Sequence, residues 1–428
     1  MCALLVPGAL ICSAMMECEQ SALVTSQEFS LPAPDFHNPQ GSLLGIMNAI
    51  LPLGAVFGAI PAAFISDHNG RRYAMTMGDL IMILAAALQT ASMNITMFLV
   101  SRFMIGLGIT IVSGSAPLMV AELAHPDSGA TFTSLDNTLW YAGSIIAGWT
   151  NHGTYHLESS WPWRLPALLQ ALPAAIYMST VWLLPESPRW PMGNDRHEET
   201  RKILMKYHAN GDRESATVAA EFAEIRETMR LQLEGWQQSW RELVATKANR
   251  NRTLLVLCCV FFPPWSGTGL VSYFLIWNLI VAVTGASLVH RVGRRPLFLA
   301  SSACMLASMV AWTGSEAARA GVLAYIIIFF LMSYNVCWDP LAVAYPVEIL
   351  PFGIRAKGLA LLMGSIKGAS FFHQFVNRVS LEKLGWKYYI VYCFWLVVVL
   401  ATVGHAKNRP LEEISDIFEK KSDIETEE

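Results

Sequence analysis

Residues 253–295 read TLLVLCCVFFPPWSGTGLVSYFLIWNLIVAVTGASLVHRVGRR. From Thr253 to Val289 the stretch holds no Lys, Arg, Asp, Glu or His, and it closes on a basic cluster built around Gly293. A membrane helix takes about 20 apolar residues, so the run is too long for one ordinary crossing and short of two crossings with a turn between them. Runs of the same kind recur near 44–66, 74–93, 97–120, 134–150, 166–184, 297–314, 321–344, 358–376 and 386–404, and the first residues, Met1–Met16, form an incomplete further piece. The chain is 54% hydrophobic and only 15% charged, against about 25% charged for an average soluble domain. A soluble core cannot absorb so many apolar runs, and the sequence predicts an all-α membrane protein that crosses the bilayer repeatedly.

Charge and cysteine usage exclude several classes. A net charge of −3 leaves no nucleic-acid footprint. The cysteines sit mostly inside apolar runs (Cys258, Cys259, Cys304, Cys337, Cys393) and form no C-x-x-C pair, so neither a disulfide framework nor a metal site is expected. The chain has no Gly-rich phosphate loop and no nucleophile–base pairing, so no enzyme and no cofactor is expected. The N-terminal stretch lacks the basic n-region of a signal peptide and reads as the remnant of a first span.

Lys and Arg mark cytoplasmic loops. Residues 185–252 carry twelve of the thirty, which places this segment inside, and its amphipathic pattern from Arg196 to Glu234 predicts short helices under the membrane. SDHNGRR (66–72) and HRVGRR (290–295) are basic and belong inside, whereas the turns near Asn94 and Gly314 are poor in Lys and Arg and belong outside. Asn94-Ile95-Thr96 also matches a glycosylation acceptor, too close to the membrane edge to be an expected one. Four domains follow: a first membrane half (1–184), a cytoplasmic linker (185–252), a second membrane half (253–406) and a cytoplasmic tail (407–428). On this topology the chain starts inside at Thr253 and ends inside at Arg291, so it must cross an even number of times through a run that is short for two.

The halves repeat. DHNGRR corresponds to HRVGRR, pairing Gly70 with Gly293, and VAELAHP corresponds to PVEILPF, pairing Glu122 with Glu348 at nearly the same offset. Two matches in register on a chain with a central cytoplasmic loop point to parallel duplicated halves.

With these motifs in place the chain resembles the sugar porters of the major facilitator superfamily, most of all fungal lactose-permease-like and hexose transporters. The resemblance rests on DHNGRR (67–72), SRFMIGLG (101–108), AELAHP (121–126), PESPRW (185–190), GRRPLF (293–298) and YPVEILPFGIRAKG (345–358). It also rests on NTLWYAGSIIAGW (137–149), WRLPALLQ (163–170), LMKYHANGD (204–212) and LGWKYYIVY (384–392). It implies two six-helix repeats, about eleven to twelve membrane helices here, with alternating access to a saccharide site near the bilayer midplane. In the family the seventh span runs on through an outside loop to the eighth. Here Phe274-Leu275 joins directly to Ile276-Trp277-Asn278, so the end of the seventh span and that loop are expected to be missing, and the first span is expected to be cut short.

The resemblance assigns roles residue by residue. A cytoplasmic latch falls on Arg71, Arg72, Glu122, Glu186 and Arg189 in the first half and on Arg294, Arg295, Glu348 and Arg355 in the second; plain positive-inside anchoring is the alternative. His290 stands where the family has Asp, Gly129 where it has Arg, and HAKNRPLEEI where it has PETKG. Arg102, five residues into an apolar run, needs a partner, and the family's carboxylate position falls on Glu19, making the two a proton-coupling pair; a solvated loop acid is the alternative for Glu19. Asn137 matches the sugar-binding amide of the fifth span, and Trp140, Tyr141, Ser266, Tyr273, Trp338 and Asn377 are further substrate-binding candidates, although Trp and Tyr also populate interfacial belts. Pro264 replaces the family's Gln before WSG and Thr268 its Asn after SG, and Pro263-Pro264 removes two backbone donors. Gln170 is read as helix-packing glue. The resulting expectation is a monomeric, multi-pass plasma-membrane transporter that moves a mono- or disaccharide together with a proton. A non-transporting sugar sensor and the inactive truncated product of a damaged gene or gene model are the alternatives.

Overall fold

The computed structural model describes residues 41–123, 160–209, 216–237, 242–245, 294–317, 329–334 and 352–405, with isolated positions between them. The described residues are helical with short turns and contain no strand. In chain order the elements are α1 (Gly41–Asn69), α2 (Arg71–Thr90), α3 (Ile95–Leu123), α4 (Trp161–Leu169), α5 (Ala171–Thr180), α6 (Arg189–Gly193), α7 (His197–His208), α8 (Ala216–Gln237), α9 (Glu242–Ala245), α10 (Arg294–Ala317), α11 (Phe352–Leu384) and α12 (Tyr389–His405). Five stretches among them are long and apolar enough to cross a membrane: Gly45–Asn69, Arg71–Thr90, Ile95–Ala116, Trp163–Leu183 and Phe298–Ser315. Gly385–Ala401 is a shorter apolar helical stretch.

The contacts fall into two compact units. The first gathers α1 to α7, most of α8 and residues 370–383 of α11. Its centre is the packing of α1 and α2 on α3. In lipid there is no hydrophobic drive between helices, so close approach and dispersion do that work. A Cβ at Gly54 would collide with the Phe103 carbonyl and one at Gly106 with the Leu51 carbonyl, so α1 and α3 touch backbone to backbone. Met75, Met82, Ile105, Ile109, Val112, Ala174, Tyr177 and Val181 form the core that α2, α3 and α5 share. Phe57, Ile60 and Phe64 stand out on the opposite side of α1, a face suited to acyl chains.

The run at 166–184 is helical but broken at Gln170. Pro173 has no N–H and its ring crowds the carbonyl four residues back, that of Leu169, so the turn there opens. The turn expected near Asn94 lies between α2 and α3, whereas Gly314 lies inside α10, which runs to Ala317. The cytoplasmic helices expected between Arg196 and Glu234 are α7 and α8. Glu198 and Glu199 in the first turn of α7 suit its dipole, and the Thr200 hydroxyl donates to the Pro188 carbonyl at 3.0 Å, tying α7 to the PESPRW turn.

The second unit contains α9, α10, residues 352–369 of α11, and α12. α10 and α12 pack through Trp312 against Tyr389, with centroids 5.3 Å apart, and through Thr313 against Cys393 at 3.6 Å. α11 is longer than its apolar stretch and ends where Gly385, at φ 54, takes the left-handed conformation that a helix end favours.

Candidate functional site

Two clusters carry the chemistry of the first unit. The first is built on the single-residue turn at Gly70 between α1 and α2. Gly70 has φ 100, and a Cβ there would lie 2.8 Å from Glu186 Oε2, so both the backbone and the neighbour demand glycine. Glu186, from the PESPRW turn, sits over the start of α2. Its carboxylate accepts the backbone N–H of Arg71 at 3.0 Å, of Arg72 at 3.3 Å and of Ser187 at 3.0 Å. It therefore caps a helix that has no capping side chain of its own. Burial pushes the Glu186 carboxyl up from its ordinary value, against the opposing pull of these N–H groups and of the Arg72 charge.

The arginine side chains go elsewhere. Arg71 Nη1 donates to Ser66 Oγ at 2.8 Å and pairs with Asp67 Oδ1 at 2.9 Å. Arg72 Nη2 donates to the Trp182 carbonyl at 2.8 Å, and its guanidinium lies 4.8 Å from the centre of the Trp182 ring. Trp190 Nε1 donates to the Asp67 carbonyl at 3.1 Å. The loop after α1, the start of α2 and the turn after α5 are thus one hydrogen-bonded assembly. Arg189 is half-buried, its N–H on Ser187 Oγ at 3.2 Å. Glu122 lies in α3, Arg294 and Arg295 in α10 and Arg355 in α11, their side chains outside the described set; Glu348 lies outside the described residues altogether.

The second cluster lies around Arg102 in α3. The guanidinium is buried, with Nη1 donating to the Met47 carbonyl and directed at Asn48 Oδ1 at 3.4 Å, both on α1, and with the Phe98 ring centre 4.7 Å away. Its Nε has no hydrogen-bond partner among the described residues. Glu19, the expected partner, lies outside those residues, so the visible ligands of this cation are a main-chain carbonyl, an amide and a ring face.

Of the substrate-binding candidates, Asn137, Trp140, Tyr141, Ser266, Tyr273 and Trp338 lie outside the described residues, as do Pro264 and Thr268. Asn377 is buried on α11, its Nδ2 2.8 Å from Nε2 of His373 one turn earlier. Phe375 of the same helix meets α1 at Gly45, so this end of α11 lies one turn of α1 away from Asn48. Gln170, at the break between α4 and α5, is buried. The sequence reading overlooked a buried acidic residue, Asp79, in the middle of α2 and 1% exposed. The signal was available, because an acidic residue inside an apolar run is itself the anomaly.

The apolar helices, the buried Arg102 and the Gly70-Arg71-Arg72 turn fit a multi-pass membrane transporter of the major facilitator fold. The family model "Sugar (and other) transporter" matches residues 14–275 and 273–418, and the chain belongs to that family. The two matched pieces meet at residues 273–275, where Phe274 joins Leu275. The chain is 28% identical over 354 residues to the MFS-type transporter criB of Aspergillus cristatus, covering 76% of each. It is 23% identical over 437 residues to the High-affinity glucose transporter 1 of Candida albicans, covering 90% of this chain and 80% of that one. The inward-open xylose transporter XylE from E. coli superposes with a TM-score of 0.81 at 20% identity, over 97% of this chain and 100% of that one, a likeness of fold.

Proposed function

We propose that the protein carries a mono- or disaccharide across a fungal plasma membrane by alternating access, as a monomer and together with a proton. The reading rests chiefly on the family match, which spans both halves of the chain. Arg102 gives it a coupling element. A buried guanidinium held by a carbonyl, an amide and an aromatic face lacks a counter-charge among the described residues. In the proposed cycle Glu19 supplies that charge in one state and takes a proton when Arg102 turns away. The Gly70–Glu186 assembly, with Arg189 and Glu122, is one half of the proposed cytoplasmic latch, and Arg294, Arg295, Glu348 and Arg355 are the matching half. Asn137, Trp140, Tyr141, Ser266, Tyr273, Trp338 and Asn377 are the proposed sugar contacts.

The test is uptake of labelled glucose, xylose and lactose into a yeast strain lacking its own hexose carriers, at two external pH values. Uptake of one of these sugars that rises with acid outside supports the reading; no uptake by protein shown to be at the cell surface overturns it. A second reading is favoured by the two-piece family match. A chain that truly lacks the link between its seventh and eighth spans is an inactive product. Transcripts carrying extra codons between Phe274 and Leu275 would remove that reading.

A further inference from the structure

We propose that Asp79 is a proton-binding site in the first membrane half, separate from Arg102. It lies eight residues inside α2 from Arg71, about 12 Å along the helix axis. It is 1% exposed, and its Oδ2 has no hydrogen-bond partner among the described residues. The residues one turn away on the same face, Met75 and Met82, are as deeply buried, and so is Ala86. Beside Asp79, α2 and α3 approach so closely that a Cβ at Gly78 would lie 2.9 Å from the Gly108 carbonyl.

Each charged or titratable group on the neighbouring helices is engaged elsewhere or placed away from Asp79. On α5, Tyr177 donates its hydroxyl to Met75 Sδ at 2.8 Å. On α3, Arg102 is turned onto α1 and Phe98. Glu122 lies at the far cytoplasmic end of α3. On α4, Arg164 Nη2 reaches the Ser92 carbonyl at 3.4 Å, at the outer end. On α1, Asp67 pairs with Arg71, and His68 stacks on Phe64 in the cytoplasmic turn. On α2 itself, Arg71 and Arg72 are used by that turn and Tyr73 is exposed.

An ionised carboxylate with an unsatisfied oxygen in such a setting costs several kcal/mol. The group escapes that cost by taking one proton from water and becoming a neutral acid. When α2 and its neighbours part during transport, the acid meets water and returns the proton. Coupling to a proton gradient then requires that the acid take up its proton while open to the outer side, hold it while the helices are packed around it, and give it up while open to the inner side.

The first test does not depend on the sugar reading. Infrared difference spectra of the full chain in lipid vesicles, taken across a pH titration, should show the carbonyl band of a protonated carboxyl in apolar surroundings. That band should be missing in Asp79→Asn, whose thermal unfolding should match the parent because the amide is isosteric with the acid. A spectrum without such a band, or one that Asp79→Asn leaves unchanged, overturns the proposal. If Asp79→Asn does not fold, Asp79→Glu decides: a displaced band supports the site and an undisplaced one overturns it. The second test rests on the transport reading. In cells that accumulate glucose with acid outside, Asp79→Asn should lose the accumulation, and full accumulation would refute the coupling while the infrared result stood on its own.

Discussion

Gly70→Ala tests the cytoplasmic assembly most sharply, because two independent costs meet at one methyl group. At φ 100 and ψ 162 the backbone lies in a region that essentially only glycine adopts, and holding alanine there costs about 1–3 kcal/mol. The new Cβ would also lie 2.8 Å from Glu186 Oε2, tighter than real Cβ contacts. The carboxylate must retreat, which stretches its bonds to the Arg71 and Arg72 N–H groups, now 3.0 and 3.3 Å. Hydrogen bonds to a charged group are worth about 1.5–3 kcal/mol each, and losing part of this pair brings the total to roughly 2–5 kcal/mol. The assay is reversible unfolding in mixed detergent–denaturant micelles, followed by tryptophan fluorescence, on four proteins: parent, Gly70→Ala, Glu186→Ala and the double variant. With Glu186 removed the closest contact of the methyl is gone, and Gly70→Ala should then cost only the backbone part, about 1–3 kcal/mol. An equal cost in both backgrounds would refute the claim that Gly70 makes room for Glu186.

Three further outcomes follow from the same geometry and the proposed roles. Glu186 has its carboxyl raised by burial, so the folded protein binds this proton more tightly than the unfolded chain does. Its contribution to stability is therefore largest at acid pH and falls as pH rises from the ordinary value of 4.5 through the raised folded value; Glu186→Gln should remove that slope from a pH series of unfolding midpoints. Arg102→Ala should abolish uphill sugar accumulation while leaving some exchange, and unchanged accumulation in a membrane-inserted variant would sink the proposed coupling role. Replacing Pro264 by Gln and Thr268 by Asn should raise sugar affinity in a transport assay; no change in competent protein would show that those positions are misaligned with the family's amides.

Much of the membrane architecture was legible because the bilayer enforces it. Backbone groups must bond within the segment, so apolar runs become helices, and the basic clusters at 66–72 and 185–252 are what the expectation of inward-facing ends rests on. The sequence was less able to say how residues far apart in the chain share a task. Arg71 and Arg72 read as cations awaiting acidic residues and helix C-terminal carbonyls, and Asp67 and the Trp182 carbonyl are such partners. Glu186 instead holds their backbone N–H groups, while the guanidinium groups serve Ser66, Asp67 and Trp182. That exchange depends on the packing of α5 beside α2, more than a hundred residues away in sequence, and no local pattern encodes it. The opposite failure is Asp79. It sat in plain view in a run otherwise free of charge, yet an average over the window absorbs one acid among so many apolar neighbours. Arg102 stood out because its motif gave it a role; Asp79 had none. Burial restores the balance, since both side chains end on an unsatisfied polar atom inside the first unit, one a cation and one an acid. Charge-bearing atoms left without partners are expensive in lipid, and a fold that keeps them has to meet that cost through protons or through a second conformation.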